Sequence, residues 1–229
     1  MTNYGQFCPI TLAAEVFCER WNPVIIREIL SGSHRFSEIQ RGAPLMSPSL
    51  LTKRLKELET TGVIERRKPS KGKGYEYHLT EAGREFEPIV MALGVWGRRW
   101  VARTLTDDQI DVGLLMWDMR RTVKPEVLPI SPSVIHFHYD DSPRRGPDWW
   151  LVCDAEEVDV CVSDPGFDVD LYVITDSATM TGIWRGDKSL HKAIDEGALE
   201  LQGPTAVRRK FNAFLGERPW IGIRSQVGL

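Results

Sequence analysis

The sequence predicts a mainly α first half joined to an α+β second half with a five-stranded, antiparallel-rich sheet. Three observations carry this reading. Residues 36–80 run helix, turn, helix, hairpin; the balance of charge changes sign near residue 105; and beyond residue 133 four short alternating runs are followed by helical segments.

In the first of these stretches Ser47 is a good N-cap, and Pro48 stands where a first helical residue needs no N–H, so a helix starts there and ends at Gly62. Leu51, Leu55 and Leu58 share the inner side. Ser49, Thr52, Lys53 and Lys56 share the outer one, with Arg54 between the two and able to serve either. A strand over Val63–Arg67, a tip reading KPSKGKG and a return over Tyr75–Leu79 form a hairpin whose Lys68, Lys71 and Lys73 sit among Pro, Ser and Gly. Small hydroxyls near a helix N-terminus suit base edges, and flanking lysines suit phosphates. The order of elements reads as a winged helix-turn-helix with Ser47, Ser49, Thr52, Lys53, Arg54, Lys56, Lys68, Lys71 and Lys73 as the DNA-contacting set.

Thr80 caps a helix expected to run from Glu81 to about Arg103. Its Phe86, Ile89, Val90, Leu93, Val95, Trp96 and Trp100 offer more apolar surface than one small winged domain covers. A second copy of the chain is the simplest cover, and packing of the second half is the alternative. Two-fold symmetry would set two reading helices about 34 Å or a multiple of it apart, so the expected partner is double-stranded DNA with an approximate inverted repeat.

Several motifs together resemble the HxlR family of bacterial transcription regulators over about residues 5–103. They are Cys8-Pro9-Ile10, Trp21, Arg35-Phe36-Ser37-Glu38-Ile39, Leu55-Lys56-Glu57-Leu58-Glu59, Gly62, and Leu79-Thr80-Glu81 with Gly83. The resemblance implies a DNA-binding homodimer paired through terminal helices. Where many members carry Gly-Lys-Trp, this chain has Cys18-Glu19-Arg20-Trp21, so the contact of that lysine does not carry over. In related regulators a cysteine at the place of Cys8 sometimes senses oxidants or electrophiles. No Lys, Arg or His lies within several residues of Cys8, so a packed apolar anchor is the competing reading, and Cys18 is read as core.

At 229 residues and 42% hydrophobic content the chain is long enough for two folded domains, expected at 1–104 and 105–229. The net charge of −3 divides unevenly: residues 1–104 hold 16 Lys and Arg against 11 Asp and Glu, residues 105–229 hold 13 against 21. The basic half carries the reader, and the acidic half is expected to stay off the duplex. Without a long apolar run or a signal-like start, the expected location is cytoplasmic. Cys8, Cys18, Cys153 and Cys161 show no CxxC spacing, and the five histidines form no ligand grouping with them, so neither a metal nor a cofactor is expected.

In the second half Thr106 is expected to cap a helix through Asp118 to Arg121. Strand-like runs follow at VIHFHY, WWLVCD, VDVCVSD and DVDLYVITD, read as an antiparallel sheet. Asp176 and Ser189 cap two further helices, LELQG is a fifth strand and VRRKFNAFL a closing helix. Gly186-Asp187, Ala193-Ile194 before Gly197, and Leu201 with Gly203 resemble the sterol carrier protein family over roughly 110–216. That resemblance implies a tunnel for an apolar molecule, lined here by residues such as Phe137, Trp150, Leu171, Val173, Met180, Trp184, Phe211 and Phe214, although any α+β core needs a comparable set. The expected function is a dimeric regulator modulated by an apolar effector. The alternative is a redox-controlled or constitutive regulator whose second half only packs. No enzymatic motif is present, and Asp159, Asp164, Asp168 and Asp170 are read as a solvated face rather than paired catalytic acids.

Overall fold

Pro9 and Pro23 stand in the first turns of the first two helices, where a missing N–H costs nothing. The computed structural model describes residues 4–70, 72–101, 105–106, 109–141, 146–154, 157–218, 220–224 and 226–227. They fall into two units, one ending at Gly97 and one beginning at Arg98.

In the first unit α1 (Pro9–Phe17), α2 (Asn22–Leu30), α3 (Phe36–Gly42) and α4 (Pro48–Thr60) precede an antiparallel hairpin of β1 (Ile64–Arg67) and β2 (Glu76–Leu79). Ile25, Ile26, Ile29, Ile39, Leu51, Leu55, Leu58 and Ile64 form one buried cluster. Fully burying each aliphatic side chain of this kind contributes roughly 2 kcal/mol. The helix expected over Glu81–Arg103 is instead two: α5 (Glu81–Arg84) and α6 (Glu87–Trp100). Thr80 does cap α5, its Oγ1 accepting the Gly83 N–H at 3.1 Å. The break falls at Glu85 and Phe86, where Phe86 turns inward to stack on Phe17 at 4.9 Å. Residues 102–104 lie outside the described set.

The division falls within the last turn of α6, and the first helix wholly in the second unit is α7 (Val112–Thr122), capped by Asp111, whose carboxylate accepts the Leu114 N–H at 3.0 Å. Thr106, the expected cap, lies outside this helix and exchanges hydrogen bonds with Gln109. Next come β3 (Ser133–Tyr139), β4 (Asp148–Cys153), β5 (Val158–Cys161) and β6 (Leu171–Thr175). These are followed by α8 (Ser177–Arg185), α9 (Leu190–Asp195), β7 (Leu199–Gln202), α10 (Thr205–Arg208) and α11 (Phe211–Phe214). The closing helix expected over VRRKFNAFL is thus split into two single turns. Asp176 and Ser189 cap α8 and α9 as expected.

The sheet order is β5-β4-β3-β6-β7. Three pairings are antiparallel, but β3 and β6 run parallel, Ile135 opposite Leu171 and Phe137 opposite Val173. Alternation sends Ile135, Phe137, Tyr139, Trp149, Leu151, Leu171 and Val173 into one core with Met116, Met119, Met180, Ile183, Phe211 and Phe214 from the helices. Among the described residues no helix is long and apolar enough to cross a membrane.

Candidate nucleic-acid interface

The sequence of α4 decides its orientation. Ser47 Oγ accepts the Leu50 N–H at 3.3 Å, Pro48 fixes the first turn, and Leu51, Leu55 and Leu58 are at most 1% exposed. That anchoring leaves Ser47, Ser49, Thr52, Lys53 and Lys56 on the outside. The hydroxyls are partly engaged: Ser47 Oγ and Ser49 Oγ lie 3.2 Å apart, and Thr52 Oγ1 donates back to the Pro48 carbonyl at 2.9 Å. Thr52 therefore offers a methyl group and an acceptor outward, since its one proton is committed. Lys53 Nζ lies 3.9 Å from Glu57, a loose pair whose exposed lysine a phosphate can recruit.

Arg54 does not belong to the outer set. Its side chain is 12% exposed and pairs with Glu19 and Glu57, each at 2.7 Å. It ties α4 to the turn between α1 and α2, so it positions the helix instead of reading DNA. A partner from a segment 35 residues away is invisible to helical periodicity, which is why periodicity alone leaves Arg54 between the two faces.

Lys68 and Lys73 are exposed on the hairpin tip, and Lys71 lies outside the described residues. Gly72 and Gly74 take φ of 90° and 98°, a left-handed region that lets the tip reverse without side-chain strain. Sequence reasoning missed what stiffens the base of this wing. Arg35 bridges to Glu76 as a short third pairing, with its guanidinium 3.7 Å from the carboxylate, and His34 stacks on His78 at 4.3 Å between ring centroids. Arg66 lies over the Tyr75 ring at 4.3 Å, and Arg67 pairs with Glu65. Arg66 and Arg67 are exposed and add to the cationic surface. Their signal in the sequence is the Arg-Arg pair leading into the lysine-rich tip.

Beneath α3 a carboxylate is fully buried. Glu28 Oε1 meets Arg27 at 2.6 Å, Glu28 Oε2 accepts from Ser33 Oγ at 3.1 Å, and Arg27 also donates to the Gly42 carbonyl at 3.0 Å. Paired in this way, the carboxylate is spared the cost of an isolated buried charge and fixes the spacing of α2 and α3.

The residues expected at a dimer interface separate into two groups. Phe86 and Val90 pack on the core of their own winged unit and leave the candidate interface. Ile89, Leu93, Trp96 and Trp100 are 46%, 47%, 59% and 51% exposed, at spacings of four, three and four that place them along one stripe of α6. Near the N-terminus Phe7 and Ile10 are 96% and 78% exposed. Cys8 is the N-cap residue of α1 and partly buried, whereas Cys18 is exposed and so is not the core residue expected of it.

The residues assigned to a tunnel pack differently from that expectation. Phe137, Leu171, Val173, Met180, Phe211 and Phe214 are fully buried in mutual contact, and Trp184 packs at their margin. Trp150 sits on the opposite sheet face, because its neighbours Trp149 and Leu151 take the inward positions of β4. An open cleft of about 540 Å³ lies elsewhere, between Arg120 and Arg121 at the end of α7 and Asp154 and Glu157 beside β5. Two of the four acidic residues have structural tasks: Asp170 accepts the Val134 N–H at 2.8 Å, and Asp164 accepts that of Gly166 at 2.8 Å. Among the described residues no three His, Cys, Asp or Glu are spaced to hold a metal ion.

Known proteins match the first part of the chain, up to just beyond α6. The profile described as HxlR-like helix-turn-helix matches residues 16–105. The uncharacterized HTH-type transcriptional regulator YvaP of Bacillus subtilis (strain 168) is 36% identical over 107 residues, which are 46% of this chain and 99% of that protein. The uncharacterized HTH-type transcriptional regulator YybR of the same strain is 35% identical over 94 residues, covering 39% and 73% of the two chains. Among solved structures, that of PA1607, a putative transcription factor, is 29% identical with a TM-score of 0.41, covering 46% of this chain and 73% of that one. With nearly the whole of YvaP matched at this identity, the chain belongs to the HxlR-like helix-turn-helix family.

Proposed function

We propose that the protein is a sequence-specific, DNA-binding transcription regulator that acts as a homodimer. The observation that carries this reading is the division of α4: leucines locked into the core on one side, and Ser49, Thr52, Lys53 and Lys56 exposed on the other beside a cationic wing. In this reading α4 enters the major groove while Lys68, Lys73, Arg66 and Arg67 follow the neighbouring backbone. The relatives named as HTH-type transcriptional regulators support it. The stripe Ile89, Leu93, Trp96 and Trp100 is the surface offered to a second copy, with Phe7 and Ile10 as further apolar area. A two-fold dimer would select an approximate inverted repeat.

Fluorescence anisotropy of the full-length protein against DNA from immediately upstream of its own gene, at two salt concentrations and beside a scrambled duplex, tests the proposal. The expected result is preference for the native duplex that persists at the higher salt. Equal, steeply salt-sensitive binding to both would overturn sequence-specific recognition of that region.

A second reading concerns control by the Cys8 thiol. Its place as the N-cap residue of α1, only partly buried, favours it, because the thiol remains within reach of a small oxidant. A Cys8→Ser protein that still releases DNA under oxidant would end this reading. An apolar effector in the second unit would have to part the packed set around Phe137 and Phe211, each fully buried. An effector of either kind could switch DNA binding only by favouring one of two states.

A further inference from the structure

The five strands of the second unit contain no Lys or Arg. One face of their sheet is closed by helices. The other carries a row across three strands, with Trp150 of β4 opposite His136 of β3 and His136 opposite Tyr172 of β6. Trp150 stacks on His136 at 4.6 Å with 16° between the rings, and Tyr172 stands edge-on to the same imidazole at 5.4 Å and 83°. One register step along lies Asp148, whose Oδ1 accepts from both His136 Nε2 at 2.9 Å and His138 Nδ1 at 2.8 Å. Asp148 is only partly covered. Glu200 of β7 lies in the same row but three strands away, beyond His138 and Ile174.

The geometry points to a binding site for a flat aromatic organic cation on this sheet face, stacked on the ring face of Trp150 turned away from His136 and held by the charge of Asp148. The ring faces of Trp and Tyr attract cations through their quadrupoles, and a flat ring gains contact area by extending an existing stack. An anion would meet carboxylates and no strand-borne guanidinium or ammonium. A neutral hydrophobe would gain the stacking without the charge. A bare metal ion lacks a three-ligand group among the described residues. Burial alone would raise the Asp148 carboxyl, but the hydrogen bonds from His138 and His136 and the charge these rings carry when protonated outweigh this and hold it below the ordinary value.

Three probes of one ring system separate the possibilities in calorimetric titrations of the full-length protein, without DNA, at pH 8: N-methylacridinium, neutral acridine and acridine-9-carboxylate. The expected result is saturable binding of the cation at one site per chain, at least about tenfold tighter than the neutral ring, with no measurable binding of the anion. Trp150→Ala should weaken the cation roughly tenfold and Asp148→Asn several-fold, with the selectivity over acridine reduced. Tyr172→Ala and Glu200→Lys change exposed positions. Lying across His136 and three strands away, they are controls and should leave cation binding within about twofold, whereas Trp150→Phe, which keeps a ring, gives the site readout should Trp150→Ala fail to fold and should weaken binding several-fold. Equal affinity for all three probes, or cation binding that no folded variant alters, would overturn the site. Because no DNA is present, that failure would leave the DNA-binding reading untouched.

Discussion

The Glu28 carboxylate occupies the space that a side chain on Gly42 would need. A Cβ built on Gly42 would lie 1.9 Å from both Glu28 Cδ and Oε2. The scaffold holding α4 thus rests on the absence of one carbon in α3. Gly42→Ala should destabilise the first unit by at least about 3 kcal/mol, by displacing a buried, paired charge. Thermal unfolding followed by circular dichroism checks this, and an unchanged midpoint would refute the account.

Arg54 and Lys56 are two residues apart yet should fail in different assays. Arg54→Ala removes the partner of Glu19 and Glu57 and should lower stability by about 2–3 kcal/mol. Lys56→Ala should leave the midpoint within about 0.5 kcal/mol. It should also reduce the salt dependence of DNA binding by about 0.9 for each phosphate left without its lysine. Chemical denaturation and anisotropy titrations over a salt series separate the two, and a fall in the stability of Lys56→Ala would contradict the assigned faces.

Phe86 and Trp96 offer a similar contrast on the dimer question. Trp96→Glu, at a position 59% exposed, should shift the protein to monomer with its fold retained. Phe86→Ala, which removes the stack on Phe17, should instead cost about 3 kcal/mol of stability. Sedimentation velocity reports the first and unfolding the second. A Trp96→Glu protein that remains dimeric would place the interface elsewhere.

Acid should unsettle the second unit through two carboxyls. In Asp148 and Asp176 burial raises the pKa, but hydrogen bonds from the two histidines in one case and from Thr179 in the other, joined by nearby positive charge, bring it below the ordinary value. Groups depressed in this way contribute stability that is complete above the unfolded value of about 3.9 and lost as pH falls through the lower folded value. Unfolding midpoints should therefore be flat on the neutral side and fall below about pH 4. Asp148→Asn should flatten that acid limb, and an identical limb in the variant would remove Asp148 from the explanation.

Thiol labelling should sort the cysteines by environment. Burial pushes the Cys153 thiol up to about 12. It should stay unmodified by iodoacetamide at pH 8 in the folded protein, while the exposed Cys18 reacts. Peptide mass spectrometry reads this directly, and native labelling of Cys153 would mean that the sheet core opens.

Local signals make part of this molecule readable in advance. Ser47-Pro48 with leucines at helical spacing specifies α4, and the glycine-rich basic tip specifies the wing, because caps, periodicity and turn chemistry act over a few residues. The features that escape such reading depend on distant partners. Arg54 faces inward because Glu19 is there, Phe86 breaks a helix because Phe17 is there, and Asp111 takes the cap expected of Thr106. The parallel pairing of β3 with β6 is equally out of reach, since alternation gives a strand its faces but not its neighbour's direction. Tryptophans 149 and 150 illustrate that limit: adjacent in sequence, one is in the core and the other on the outer face, as the register dictates.

The strand order also governs the sequence of events at synthesis. The central strand β3 is finished at Tyr139, yet its parallel neighbour β6 begins only at Leu171 and the edge strand β7 only at Leu199. Throughout that interval β3 has one side unpaired, while the chain of the winged unit is complete by Gly97. The chain of the first unit therefore emerges from the ribosome well before the sheet can close, and the exposed side of β3 is the edge at which a chaperone, or a neighbouring nascent chain, would find this protein.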